Sequence, residues 1–346
     1  MPDVRLMVDG NEWGGWQSYR ITLGMQLAGS FELRLTERWA GQQSRRALRV
    51  GAPCTLHYDD QVLITGYLDS ISPSYDAESH SLAVAGRDAT ADLIDCSAPS
   101  TQWIGRSLAE VARELCAPFG ITVIDQAGAS AAFRSFKPNE GDTVFEALDQ
   151  AARMRGVLLL TDGRGNLLIS RAGKGQARDA LVLGQNVLSA SAINDLRDVF
   201  AYYLLKGQQN GDDWQPAELA AAVQASAHDA RIKRHRPLTL IADGPLDDAT
   251  ARERVIWERN LRFGRSQSIQ YRVQGHLQSD GALWRPNQRV EVFDQYQFLD
   301  GVERLIADVV YSLDDQGERA ELTVMPQEAF EVGELPEPED DDAAFY

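Results

Sequence analysis

The sequence predicts an α+β chain, mainly β, arranged as two related antiparallel β-barrel domains with an α+β region inserted between them. Three observations carry this expectation. Apolar and polar residues alternate over short runs at both ends of the chain, the pattern of half-buried strands. The middle holds two helical patterns, each opened by a capping box and followed by a strand-like run. The two β segments also pass through strands and turns in the same order.

The first domain covers residues 1–100. Ser30–Thr36 alternates Phe31, Leu33 and Leu35 with polar neighbours, and Thr55–Tyr58, Val62–Asp69 and Ser81–Ala85 follow as strands between turn-rich stretches. Residues 101–180 change period. Ser107 and Glu110 cap a helix whose face is Leu108, Val111 and Leu115, and Pro118 and Gly120 stop it before the strand Ile121–Ile124. Thr143 and Glu146 cap a second helix with Val144, Ala147, Leu148 and Ala151 on its face. After Gly156, strand Val157–Thr161 turns through Asp162-Gly163 into Leu167–Ser170. Two helix–strand units in tandem make a small α+β domain.

Residues 181–265 read as a mixed connecting region. Val199–Lys206 is expected as a buried strand and Asn210–Ala230 as a loop or exposed helix. Residues 246–263 are expected as a helix with Leu246, Ala249, Ile256 and Phe263 on one face and Gly264 at its end. Residues 266–330 return to strands at Ser268–Gly275, Arg289–Phe293, Val302–Val310 and Ala320–Val324, a second barrel related to the first. Residues 331–346 form an acidic tail, expected to be flexible because proline and acid together bury too little surface to order themselves.

The repeat is visible in the letters. Pro53 precedes CTLHYD, a short turn, ITGYLDSIS, SYDAES and SLAVA. Pro286 precedes RVEVFD, a short turn, GVERLIADVVYS, LDDQGE and AELTV. The lead-in strands SFELRLTERW and SIQYRVQGHL correspond as well. Short antiparallel meanders also resemble one another by chance. If the duplication holds, one chain brings two similar barrels and three chains bring six, so a homotrimeric ring can present quasi-sixfold symmetry.

With 346 residues, 44% apolar and 25% charged, the chain is long enough for two or three domains. No run of about 18 apolar residues is present, so no stable membrane insertion is expected. The N-terminus lacks a basic stretch followed by an apolar one, so assembly in a bacterial cytoplasm is expected. The net charge of −17 repels phosphate and argues against a sequence-specific nucleic-acid reader. It leaves room for a conduit through which DNA slides without sticking.

No catalytic, cofactor or metal site is predicted. Cys54, Cys96 and Cys116 are odd in number and widely spaced, and are expected as small buried hydrophobes. His57, His80, His228, His235 and His276 show no metal-ligand spacing. Gly264–Ser268 fails the nucleophile-elbow pattern at its last position, and Gly173-Lys174-Gly175 lacks the remainder of a phosphate loop. The acidic pairs Asp59-Asp60, Asp212-Asp213, Asp247-Asp248 and Asp314-Asp315 fall at turns or helix starts. In so acidic a chain the cationic cluster Arg231, Lys233, Arg234 and Arg236 stands out. It reads either as an interface for an acidic neighbour, such as another subunit, or as a solvated loop edge.

Several stretches together resemble the Mu-type phage tail protein P family, the baseplate hub of contractile tails, prophages and tail-derived bacteriocins. They are VRLMVDGNEWGGWQSYRITLGMQLAGSFELRLTERW, GDTVFEALDQAARMRGVLLLTDGRGNLLI, VLSASAINDLRDVFAYYLLKGQ, GALWRPNQRVEVFD and LTVMPQEAF. The resemblance runs from Val4 to about Phe330; the acidic tail has no counterpart in it. It implies a trimeric torus without catalytic residues or cofactors. One face would meet the hexameric tail tube and other baseplate proteins, and the other would hold the trimeric spike. A tail-associated cell-wall hydrolase or glycan-binding component is the alternative, which would show a paired-carboxylate cleft. A spike would show a glycine-periodic β-helix, which the α+β middle does not fit.

Overall fold

Alternating burial organises most of the chain. The computed structural model describes residues 3–25, 28–36, 48–76, 80–208, 222–242 and 248–333. The first unit contains β1 (Val4–Val8), β2 (Asn11–Trp13), β3 (Ser18–Gly24), β4 (Ser30–Thr36), β5 (Pro53–Tyr58), β6 (Gln61–Tyr75) and β7 (His80–Asp88). Every second side chain turns inward: Val4, Leu6 and Val8 in β1, Tyr19, Ile21 and Leu23 in β3, Cys54, Leu56 and Tyr58 in β5. The β1–β2 hairpin turns on Asp9 and Gly10, both at positive φ, the two-residue geometry that matches the twist of the flanking strands.

The inserted region holds α1 (Ala91–Asp95), β8 (Trp103–Ile104), α2 (Leu108–Cys116), β9 (Val123–Asp125), β10 (Ser135–Phe136), α3 (Val144–Arg153), β11 (Leu158–Thr161) and β12 (Leu167–Ser170). Both capping boxes form in both directions, at Ser107 with Glu110 and at Thr143 with Glu146. The expected faces of α2 and α3 are buried in a core of their own with Trp103, Phe133, Phe136 and Ile169. β9 runs parallel to β12, which pairs antiparallel with β11.

Next come β13 (Gly175–Gln176), β14 (Leu181–Val182), β15 (Val187–Asn194), β16 (Tyr202–Gln208), β17 (Ala222–His228), β18 (Pro237–Ile241) and α4 (Asp248–Arg265). Three expectations change here. The buried strand begins at Tyr202 rather than Val199, because Val199 and Ala201 pack on Ile232 before the ladder starts. Residues 222–228 are a strand rather than loop or helix: Val223, Ala225 and Ala227 alternate inward beside β16. The buried residues of α4 are Ala251, Val255, Leu261 and Gly264, while Ile256 is exposed. This helix contacts β16 and β17 on one side and the C-terminal turn at 327–329 on another, so its apolar residues do not share one stripe. Gly264 lies at the helix end as expected, one residue before the last, and a Cβ there would sit 2.5 Å from the Ala329 amide nitrogen.

The chain closes with β19 (Gln267–Gln274), β20 (Gln288–Asp294), β21 (Leu299–Asp314) and β22 (Gly317–Met325). Two related barrel domains over 1–100 and 266–330 were expected, and no closed barrel is seen among the described residues. Instead, β3 pairs with β21 and fuses both β segments into one 14-stranded sheet in the order β15-β19-β22-β21-β3-β4-β7-β6-β5-β1-β2, with β20 beside β21 and β13 and β14 beside β20. Neither segment closes on itself by strand pairing among the described residues. A shared hydrophobic core runs from Val4 to Val324 through both segments. The physical reason is length. β21 outreaches β20, and its unpaired backbone groups are satisfied by β3.

The two segments nevertheless share strand order. β4-β7-β6-β5 in the first corresponds to β19-β22-β21-β20 in the second. Phe31 faces Gly86 and Ile269 faces Val324, partners that recur 238 residues apart (31 to 269, 86 to 324). The irregularities recur too: Asp69 is skipped between β6 and β7, and Ala307 between β21 and β22. Where the β5–β6 turn holds Asp59 and Asp60, the β20–β21 turn holds the longer Gln295–Phe298. Residues 334–346, and with them most of the acidic tail, lie outside the described residues.

Candidate assembly interface

The junction between the two segments combines apolar and polar contacts. Ile21 faces Tyr311, Leu23 faces Val309 and Tyr19 faces Leu313 across the β3–β21 ladder. Tyr311 is fully buried, and its hydroxyl donates to the Trp284 carbonyl. The hydroxyls of Tyr19 and Tyr58 both donate to the Glu318 carboxylate, at 3.0 Å each, tying β3 and β5 to β22. Burial and the neighbouring Glu318 charge push both phenols above their ordinary range, so they remain donors. His276 is buried among Tyr19, Tyr58 and Tyr311, with ring centroids 5.7, 4.9 and 5.2 Å away. Its Nε2 lies 3.3 Å from the Ser312 carbonyl, and Nδ1 has no hydrogen-bond partner among the described residues. Burial lowers its pKa below the ordinary value, and nearby Glu318 offsets part of that.

The same sheet leaves two stretches unpaired on one side. β15 pairs with β19 along 187–194, and from Ser189 to Asn194 its other side meets no strand among the described residues. β6 pairs with β5 only through Tyr67, so residues 70–75 have β7 on one side and no described strand on the other. Tyr75 is 77% exposed, Ile193 66% and Leu188 54%. These edges were not singled out from the sequence. The sequence reading places a turn-rich stretch at 72–79, whereas β6 runs on to Tyr75.

The cationic cluster divides into two pairs. It lies in the loop from Asp229 to Arg236 between β17 and β18. Arg231 clamps buried Asp229 with two 2.7 Å hydrogen bonds and stacks on the Phe263 ring at 3.3 Å. Burial would raise the Asp229 pKa, but the Arg231 hydrogen bonds outweigh it and hold the carboxyl below its ordinary range. Arg236 donates to the carbonyls of Val199 and Arg197 and lies over Phe200. Lys233 and Arg234 are exposed and have no ion-pair partner among the described residues. The cluster is therefore half structural, and Lys233 and Arg234 carry the charge that no described residue pairs.

Other singled-out residues serve the fold. Lys174 donates to the Gln126 carbonyl at 2.7 Å and the Gly173 amide to Asn287 at 2.6 Å, so this turn fastens the insert to the sheet. Cys54 and Cys116 are buried, and burial pushes each thiol up to about 12. Cys96 is exposed, against expectation, because it follows α1 at the surface. A cleft of about 430 Å³ between insert and sheet has Asp162 as its sole acidic lining residue among those described. Asp162 is committed to the amides of Arg164 and Asn166 and to the Asn166 side chain. That leaves no opposed carboxylate pair in the cleft. Asp212, Asp213 and Asp247 lie outside the described residues.

Comparison with known proteins gives the class and then the family. Three family models match in chain order. They are the N-terminal domain of Mu phage baseplate assembly protein GpP-like at residues 3–88, the second domain of baseplate hub protein gp44-like at 90–171, and the fourth domain of Mu phage baseplate assembly protein GpP at 247–333. The protein is a structural component of a phage-type baseplate, not an enzyme.

It is 36% identical to baseplate hub protein gp44 of Escherichia phage Mu over 340 residues, 95% of this chain and 89% of that protein. The chain belongs to the Mu gp44 baseplate hub family. The 43 kDa tail protein of prophage MuSo2 from Shewanella oneidensis is 33% identical, with a TM-score of 0.85 over 95% of this chain and 99% of that one. A tail protein from Neisseria meningitidis MC58 shares the fold at 23% identity, with a TM-score of 0.82 over 97% of this chain and 99% of that one. So does an E. coli type VI secretion component described as similar to the T4 tail proteins gp27 and gp5, at 9% identity and TM-score 0.57, over 96% of this chain and 80% of that one.

Proposed function

We propose that the protein is the central hub of a contractile tail baseplate and works as a closed homotrimeric ring. The observation that carries this is the strand order repeated within one chain: β4-β7-β6-β5 and β19-β22-β21-β20. Two equivalent units per chain become six around a threefold axis, forming barrel walls that neither unit closes alone. The repeated strands suit a sixfold partner, the tail tube. The unlike turns suit a threefold one, the spike, because Asp59-Asp60 alternates around the ring with exposed Tyr296 and Phe298. DNA would pass through the central channel, which an acidic chain does not bind tightly.

The ring would be assembled in the cytoplasm of the host bacterium and reside at the virion tail. The stretches 1–100, 101–180, 181–265, 266–330 and 331–346 serve in this reading as first β unit, insert, connecting region, second β unit and tail. Arg231, Lys233, Arg234 and Arg236 form a contact for an acidic neighbour, with Lys233 and Arg234 supplying the free charge.

Sedimentation velocity or mass photometry at micromolar concentration is expected to give three chain masses, because an interface of this kind must be large. Class averages from electron microscopy are expected to show threefold symmetry with six lobes. A monomer or a twofold dimer across that range would overturn the reading.

A further inference from the structure

We propose that the ring closes by strand addition: the open edge of β15 in one copy pairs antiparallel with residues 70–75 of β6 in the next. The register is the one β3 and β21 show inside a single chain. This rests on the ring reading above and deepens it by naming the two edges and their alignment.

The alignment follows from the repeat. β15 stands to β19 as β3 stands to β4: Ile21 faces Phe31, Ala192 faces Ile269, and Phe31 and Ile269 are equivalent positions. The far half of β21 stands to β22 as the far half of β6 stands to β7. Tyr311 faces Ala320 and Pro73 faces Leu82, both beyond the same irregularity. Inside the chain, Arg20 faces Ser312, Ile21 faces Tyr311 and Thr22 faces Val310. Replacing each residue by its equivalent gives Ser191 opposite Ser74, Ala192 opposite Pro73, and Ile193 opposite Ser72 of the next copy. The joint between copies then repeats the joint within each copy, which is the condition for six equivalent units around one ring.

Two further observations support these edges. Exposed strand edges are ordinarily guarded by charged residues that block pairing with another chain. Ser189–Ile193 and Ser70–Tyr75 contain no charged residue. Their serines and alanines allow close approach, and Pro73 removes at most one donor from the ladder. The equivalents are also in opposite states: Val309, Val310 and Tyr311 are buried, whereas Ser72 and Pro73 are exposed and Ile71 is half-buried.

Cysteine pairing tests the register in the full chain carrying Cys96→Ser to remove the exposed thiol. Facing residues in an antiparallel ladder lie about 4.5–5.5 Å apart at Cα, within disulfide range. Ser74→Cys with Ser191→Cys is expected to give covalent dimers and trimers on oxidation, reversible by reductant. Either single variant is expected to give none. Ser72→Cys with Ser191→Cys, two residues out of register, is expected to cross-link several-fold less.

Ser72→Lys with Ile193→Lys is expected to weaken association roughly three- to fivefold per contact, and Ser72→Lys with Ile193→Glu to recover it. This second series needs no disulfide. A trimer in which the out-of-register pair dominates, or neither pair reacts and the charge series is flat, overturns the strand pairing and leaves the ring. A monomer at all micromolar concentrations overturns both.

Discussion

β6 and β21 are equivalent strands with different neighbours. The far half of β21 is covered by β3 of its own chain, and its side chains Val309, Val310 and Tyr311 are large, apolar and buried. The far half of β6 carries Ile71, Ser72 and Pro73 at the equivalent places and meets no described strand on that side. A joint made within a chain forms on folding and never faces water afterwards, so it can be built like a core. A joint made between chains must be tolerated in water until the partner arrives. Small polar side chains meet that requirement while leaving the backbone groups to do the joining.

The largest effect expected from this contrast is at its centre. Tyr311→Ala should cost about 3–5 kcal/mol in denaturant unfolding, because a fully buried ring is removed from a joint that cannot collapse. Pro73→Ala, at the equivalent position, should change stability by less than about 0.5 kcal/mol. Equal costs at both positions would show that residues 70–75 are already covered in the isolated chain.

The second contrast is polar. Glu318 accepts from Tyr19 and Tyr58, and Glu318→Gln should cost about 1.5 kcal/mol, the low end for hydrogen bonds to a charged group at a half-buried site. Its equivalent is His80, whose ring stacks on Tyr75 with centroids 5.8 Å apart. His80→Gln should be silent in the same assay.

The third contrast is read by pH. The pKa of His276 is lowered in the folded chain, mainly by burial. Above its unfolded value of about 6.5 the residue is neutral in both states and contributes no pH dependence. As pH falls below that value the unfolded chain takes up the proton first, so stability declines until the lowered folded pKa is passed. His276→Gln should flatten the profile in that window. An unchanged slope would place the acid sensitivity elsewhere.

What the sequence disclosed was local. Ser107 with Glu110 and Thr143 with Glu146 marked α2 and α3 because a capping box is decided by residues three apart. The order of the repeat was legible for the same reason, since alternation and turns are short-range. Three things were not legible. β17 carries alanine and serine, whose small side chains give weak alternation. α4 contacts two surfaces, which erased its stripe. The open edges of β15 and β6 are defined by which strand is missing beside them, and no residue type encodes that. The cationic cluster was legible as charge, yet its division into buried and free members depends on Asp229, Phe263 and the Val199 carbonyl, which lie on other elements.

That division carries the covered-versus-uncovered contrast into a single loop. Arg231 is paired with a buried carboxylate and an aromatic ring. Its loss leaves the Asp229 carboxylate with the residue-231 amide as its hydrogen-bond donor among the described residues, and Arg231→Ala should cost about 1–2 kcal/mol, less than a fully buried pair because the guanidinium is half-exposed. Asp229 has a depressed pKa, so its contribution is present above the ordinary carboxyl value and lost as pH falls through the folded one. The deficit of the variant should therefore shrink in acid. Lys233→Ala and Arg234→Ala should stay within about 0.5 kcal/mol of the parent at every pH, since neither side chain touches a described partner. If these two form a contact with an acidic neighbour, their removal should instead reduce the salt dependence of association, because exposed charges act through a screened field. An association constant that responds to salt identically in the parent and in the Lys233→Ala, Arg234→Ala double variant would make the whole loop a structural feature of the β17–β18 connection.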